Sequence, residues 1–170
     1  MLKSLTVSNF KIFESPVTID FSATGNYAFN KEAVKDGISK TSVMYGKNAS
    51  GKSSIALALF DIVANLTDNY ISPKDYAIYL NARIGKPAEF KYVFAFDGKD
   101  VVYEYKKTNI YSVISEKLTI NGKTAILYDG NIKHPVFEVN LPGTERLGFR
   151  LQVLRTRAGH GSGDRTGLHL

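Results

Sequence analysis

Apolar and polar residues alternate with a period of two between about residues 88 and 130. The apolar members of the first run are Phe90, Tyr92, Phe94 and Phe96. Asp97-Gly98 and Asn121-Gly122 interrupt the alternation, and such pairs are typical of two-residue hairpin turns. The pattern therefore predicts an antiparallel β-meander, in which each strand has one apolar and one polar face.

The first 40 residues predict a second, smaller antiparallel unit. Residues 2–7 predict a strand with three apolar members, and residues 17–21 alternate as a second strand; the turn between them, residues 8–16, carries Phe10 and Phe13. Residues 22–40 are polar and contain turn formers, so we expect an excursion with one helical turn around residues 31–34.

The segment between these two units changes its pattern again. Residues 41–45 are a short apolar run that predicts a buried strand, and residues 54–64 predict a helix. The sequence between them, residues 46–53, reads Gly-Lys-Asn-Ala-Ser-Gly-Lys-Ser and fits the phosphate-binding loop G-x-x-x-x-G-K-[ST], also called Walker A. The strand–loop–helix order is the context that this motif requires.

Each position of the loop has a physical role in binding a nucleotide phosphate chain. Glycines allow backbone N–H groups to approach an anion, and the N-terminus of the following helix favours negative charge. Lys52 can reach the β- and γ-phosphates, and the Ser53 hydroxyl can bind Mg²⁺. The predicted cofactor-binding residues of the loop are Gly46, Lys47, Asn48, Ala49, Ser50, Gly51, Lys52, Ser53 and Ser54.

Composition restricts the class of protein. A chain of 170 residues that is 44% hydrophobic and 22% charged can bury the core of one domain. It has no cysteine for disulfides or thiolate metal sites, no apolar run of membrane-spanning length and no signal peptide. We therefore expect a cytoplasmic protein with no membrane partner.

The basic residues divide the chain into two parts. Residues 1–143 hold 16 lysines and one arginine, whereas residues 144–170 hold five arginines, no lysine and five glycines. Three interpretations of this Arg/Gly-rich tail remain open: a reading-frame shift or artificial chain end, a flexible surface tail, or an arm that binds nucleic-acid phosphates.

Two segments resemble the start of ABC-type ATPases of the RecF/SMC/OLD kind within the AAA family. Residues 5–13, Leu-Thr-Val-Ser-Asn-Phe-Lys-Ile-Phe, resemble their strand and N-F-[KR]-x-F turn, and residues 46–53 resemble their G-x-N-x-S-G-K-S loop. The meander at 88–130 is similar to the arm of ATP-binding proteins of abortive infection and phage defence. The resemblance covers about residues 1–140.

The resemblance implies an α/β (α+β) P-loop NTPase lobe of ABC type, with a strand–loop–helix core, an antiparallel arm, and ATP and Mg²⁺ as cofactors. It implies that Asn9, Phe10 and Lys11 lie near the base and ribose, and that Lys52 and Ser53 hold the phosphates and Mg²⁺. It also implies a head-to-head homodimer with ATP between the two subunits, and a role in DNA handling or phage defence.

The chain departs from this family in the motifs that complete the reaction. Its only glutamine is Gln152, it has no L-S-x-G signature, and no apolar strand ends in Asp-Glu; Asp97 is predicted to be a hairpin residue, not a metal ligand. Residues 1–143 are therefore expected to be the N-terminal lobe of an incomplete domain, which binds ATP but turns over negligibly alone.

A second class of function stays open. The tyrosine-rich arm and the basic tail could form a non-hydrolysing module that binds DNA or a partner protein, although tyrosines at this spacing are also what a half-buried sheet requires. A compact P-loop kinase is disfavoured, because antiparallel strands and not parallel ones follow the predicted helix.

Overall fold

The computed structural model describes residues 1–25, 31–67, 78–130 and 136–137, all within the compact unit Met1–Glu138. The described residues form a mixed α/β structure, mostly an antiparallel sheet with one helix, which is an α+β arrangement. The mixed class expected from the sequence is confirmed at this level. Gln152, the boundary at residue 143 and the Arg/Gly-rich tail at 144–170 lie outside the described residues.

The elements follow one another in chain order, with the single α-helix of the described part in the middle. They are β1 (Leu2–Ser8), β2 (Val17–Asp20), a 3₁₀ turn (Lys31–Ala33), β3 (Val34–Lys35), β4 (Ile38–Ser39), α1 (Lys52–Thr67), β5 (Ala88–Phe96), β6 (Lys99–Lys107), β7 (Val113–Ile120), β8 (Lys123–Asp129) and β9 (Val136–Phe137). The helical turn expected at residues 31–34 is confirmed, and the short β3–β4 hairpin is an addition that the sequence did not predict.

The predicted meander is confirmed as the main part of the sheet. The described strands lie in the order β2-β1-β5-β6-β7-β8-β9, and every neighbouring pair is antiparallel. Asp97 and Gly98 both have positive φ, 47° and 73°, as do Asn121 and Gly122 at 49° and 78°. Positive φ at both central residues is the geometry of type I′ turns, which match the twist of the strands they connect.

The N-terminal pair joins this meander through β1. The strand pairs with β2 on one side and β5 on the other, so that Leu5 lies opposite both Ile19 and Tyr92. Leu5 and Val7 are fully buried as a result. The two antiparallel units expected from the sequence are thus one continuous sheet.

Helix α1 packs on one face of this sheet, and aromatic rings fill much of the core between them. Phe90 and Tyr105 stack with centroids 5.0 Å apart, and Phe90 also meets Phe10 edge-on at 5.2 Å. Tyr92 and Tyr105 are 0% and 1% exposed. Fully buried tyrosines need partners for their hydroxyl groups, and those partners lie on α1, as described below.

The buried strand predicted at residues 41–45 is wrong. These residues form no strand, and Val43 and Tyr45 are 85% and 91% exposed. An isolated strand leaves its backbone groups unpaired, and residues 41–45 belong to neither of the sheets formed by the described residues. The strand half of the predicted strand–loop–helix core is therefore not formed, whereas the helix half is.

Candidate phosphate-binding loop

The predicted loop leads directly into the first turn of α1. Lys52 is the first helical residue, and the Ile55 amide donates to the Gly51 carbonyl at 2.9 Å to close the first turn. The amides at the start of any α-helix have no carbonyl partner within the helix, and they carry the positive end of its dipole. The start of α1 therefore presents N–H groups and partial positive charge beside the loop.

Glycine is required at position 51 for two separate reasons. Its φ is 95°, where L side chains are strained, and a Cβ there would lie 2.9 Å from Ile12 Cδ1 and 2.9 Å from Phe13 Cε1. At Gly46 a Cβ would lie 3.0 Å from Ser50 Oγ. Backbone conformation and close packing thus explain the glycine at position 51, whereas at Gly46 a rotation of the Ser50 side chain would relieve the contact.

Lys52 is held by the loop that it follows. Its Nζ donates to the carbonyl oxygens of Gly46 and Lys47, each at 2.7 Å, and has a longer contact of 3.5 Å with Ser50 Oγ. An ammonium group has three donors. Two of the Lys52 donors form short hydrogen bonds to carbonyl oxygens, and these bonds fix the position of the ammonium charge. The third donor has only the long contact with Ser50 Oγ.

A cleft of about 360 Å³ opens beside this lysine. The described residues that line it are Ile12, Asn48, Ala49, Ser50, Gly51, Lys52, Ser53 and Ser54. They include one cation, three serine hydroxyls, one amide side chain and no carboxylate. The chemistry of this lining suits an anion, and the exposed Ser53 hydroxyl lies in the first helical turn.

Nine of the ten predicted site residues are brought together here. Asn48 to Ser54 line the cleft, and Gly46 and Lys47 contribute carbonyl oxygens to Lys52. The tenth, Lys11, lies on the turn after β1, and its Nζ donates to the Ile78 carbonyl at 3.3 Å. The neighbouring Ile12 lines the cleft instead.

The turn after β1 places Ile12 at the cleft. Phe10 and Phe13 exchange backbone hydrogen bonds of 3.2 and 2.9 Å and turn their rings into the core, while Ile12 stays 52% exposed against Gly51. Asn9 and Lys11 adopt positive φ, 54° and 50°, to make this turn. Ile12 was not among the predicted site residues, because no periodic pattern in this turn indicates the direction of its side chain.

A buried polar network attaches the other half of α1 to the sheet. Asp61 and Lys107 are each 1% exposed and form an ion pair at 3.1 Å. Asp61 Oδ1 also accepts from the Tyr105 hydroxyl at 2.8 Å, and Asp61 Oδ2 accepts from the Tyr79 hydroxyl at 2.9 Å. Burial, and next the proximity of Tyr92 and Asp61, raises the pKa of Tyr105 well above its usual range.

The opposite face of the sheet carries a second groove, of about 400 Å³. Four of the charged side chains that line it are paired across strands: Lys106 with Glu89 at 2.6 Å and Lys91 with Glu104 at 3.4 Å. Alternating charges that neutralise one another are typical of a solvated sheet face. This groove therefore has no excess charge from these pairs with which to attract an ionic ligand.

Two features are absent from residues 1–25, 31–67, 78–130 and 136–137. No group of three or more His, Asp or Glu side chains there could hold a metal ion, and no helix there is long and apolar enough to cross a membrane. Comparison of the chain with protein-family models, with curated proteins and with solved structures finds no match in any of the three.

Proposed function

We propose that this chain binds ATP with Mg²⁺ through residues 46–53, as the N-terminal lobe of an ABC-type ATPase. The observation that supports this most is the position of Lys52. Its ammonium group is anchored by two loop carbonyls at 2.7 Å, at the start of a helix and beside a cleft whose described lining has no carboxylate. A fixed cation, free helix amides and hydroxyl groups together are the means by which proteins bind phosphates.

The residues fit the parts of a nucleotide in distinct ways. Lys52 has one weakly engaged donor for a phosphate oxygen, and the amides of the first turn of α1 can donate to others. Ser53 would hold Mg²⁺, an ion that proteins commonly bind with few protein ligands and with substrate phosphates supplying the others. Hydrolysis needs positioned water and further acidic groups, so we expect binding without appreciable turnover by this chain alone.

Isothermal calorimetry with ATP and Mg²⁺ tests the proposal. Lys52→Ala removes the charged contacts of the loop and should weaken binding by about 1.5–3 kcal/mol, or about ten- to a hundredfold. The matched control is Lys35→Ala, which removes an exposed lysine of the β3–β4 hairpin. This variant should bind ATP as tightly as the unmodified chain does. No binding by the unmodified chain, or equal binding by the Lys52 variant, would refute the site.

A second candidate function is a module that binds DNA or a partner through the outer sheet face. It is supported by the 400 Å³ groove, although the cross-strand charge pairs there leave little net attraction for a polyanion. DNA binding that weakens with salt and persists in Lys52→Ala would favour this function over ATP binding.

A further inference from the structure

The apolar side chains of α1 do not by themselves determine which face of the helix meets the sheet. The buried residues are Ser54, Ile55, Ala58, Asp61 and Ala64. The exposed residues include Phe60, Val63 and Leu66, each larger than the alanines buried opposite them. Because apolar residues surround the helix, hydrophobic burial alone would favour several rotations of α1 about its axis to a similar extent.

Polar contacts distinguish the observed rotation from the others. Asp61 accepts hydrogen bonds from Tyr79, Tyr105 and Lys107, and one turn earlier the Ala58 carbonyl accepts from the Tyr92 hydroxyl at 2.6 Å. A shift of one residue around the helix, about 100°, would break the contacts of Asp61 together. It would leave the carboxylate and the buried ammonium of Lys107 without each other, and an unpaired buried charge is strongly unfavourable.

We propose that Asp61 is a positioning residue, which fixes the rotation of α1 and through it the direction of Lys52 and the first-turn amides. The effect of Asp61 on phosphate binding rests on the proposed function, whereas its effect on the rotation of α1 does not. Asp61 lies about 14 Å along the helix from Lys52. A helix is stiff over that distance, so a rotation at Asp61 is transmitted to the loop, where Gly51 has no free space beside Ile12 and Phe13.

The absence of native cysteine allows the rotation to be measured directly. Val63→Cys and Ala64→Cys place single thiols at neighbouring positions, one 50% exposed and the other 2% exposed. Their rates of reaction with a maleimide are compared in two backgrounds: the native pair, and the apolar replacement Asp61→Leu/Lys107→Met. Tripolyphosphate with Mg²⁺ is titrated into both backgrounds, without the cysteines, by calorimetry.

We expect the exposed thiol to react at least about tenfold faster than the buried one in the native background. In the replaced background this ratio should fall towards one. Tripolyphosphate should also bind at least about fivefold more weakly, because the hydrogen-bond donors of the protein, Lys52 and the first-turn amides, are misplaced. The matched control is Glu89→Gln/Lys106→Met on the outer face, which should change neither quantity.

The outcomes separate the two proposals. An unchanged thiol ratio in a folded Asp61→Leu/Lys107→Met protein would overturn the role of Asp61, whatever the ligand result. A reduced ratio with tripolyphosphate bound equally well would overturn the link to the loop, and absence of binding to the native chain would refute the proposed function alone. If the replaced protein does not fold, Asp61→Ala/Lys107→Met decides, because it removes the carboxylate and its counter-charge without adding bulk to the helix: a reduced ratio supports the proposal, and an unchanged ratio overturns it.

Discussion

Replacing Gly51 by alanine should destabilise the protein through two effects that can be separated. The backbone there has φ of 95°, and the new Cβ would meet Ile12 and Phe13 at 2.9 Å. Positive φ costs an alanine about 1–2 kcal/mol. Forcing a methyl group against packed side chains adds about 1–3 kcal/mol. We therefore expect the free energy of unfolding to fall by about 2–5 kcal/mol in total.

Gly122→Ala is the matched control, because φ there is 78° and no atom lies within 4 Å of the added Cβ. It should show the backbone effect alone, about 1–2 kcal/mol. Urea denaturation of both variants, followed by circular dichroism, measures the difference. Adding Ile12→Ala to Gly51→Ala should recover part of the loss, since one of the two clashing side chains is then removed.

A Gly51→Ala variant no less stable than Gly122→Ala would refute the close packing of the turn after β1 against the loop. It would also remove the reason for treating Ile12 as part of the cleft. The comparison does not depend on any ligand, so it tests the described geometry independently of the proposed function.

Two further predictions concern the buried network. Asp61→Asn leaves the Lys107 ammonium buried without its counter-charge, so the free energy of unfolding, measured by urea denaturation, should fall by about 3–5 kcal/mol. Most of this loss should be recovered in Asp61→Asn/Lys107→Met. An unchanged stability of the single variant would contradict the ion pair. Burial raises the pKa of Tyr105, so the unfolded chain ionises there first and stability should fall as pH rises above about 10, less steeply in Tyr105→Phe. Denaturation between pH 8 and 11 checks the sign, and equal slopes for both proteins would contradict it.

The hairpins of the sheet could be predicted from the sequence because their determinants are local, whereas the pairing of β1 with β5 joins distant segments and was not predicted. The period-two alternation and the turn pairs at 97–98 and 121–122 fix the strands and their hairpins, and both are close in sequence to what they determine. Helix α1 was likewise predictable, since its apolar run follows the loop directly. For these elements local pattern and tertiary structure agree.

The strand predicted at residues 41–45 failed for a different reason. Its apolar composition describes a segment suited to burial, but a strand also needs a neighbour, and composition does not supply one. The contact of Ile12 with Gly51 and the pairing of Asp61 with Lys107 could not be predicted either. The second pair is 46 residues apart, and no periodic pattern connects the two positions.

The phosphate-binding loop could be predicted only in part. Its residues were identified by a motif, and seven of the ten predicted positions line one cleft, while Gly46 and Lys47 accept from Lys52. The motif did not predict that the two carbonyls nearest its start hold Lys52, because that contact depends on the curvature of the loop backbone. Positive φ at Ala49 and Gly51 produces this curvature.

The most direct test of ATP binding is a titration with ATP and Mg²⁺ followed by amide ¹H–¹⁵N nuclear magnetic resonance. The proposal predicts that the largest shift changes fall on the backbone amides of residues 46–54, and that they disappear in Lys52→Ala. Shift changes confined to the outer face of strands β5 to β8, or none at saturating ATP, would contradict it.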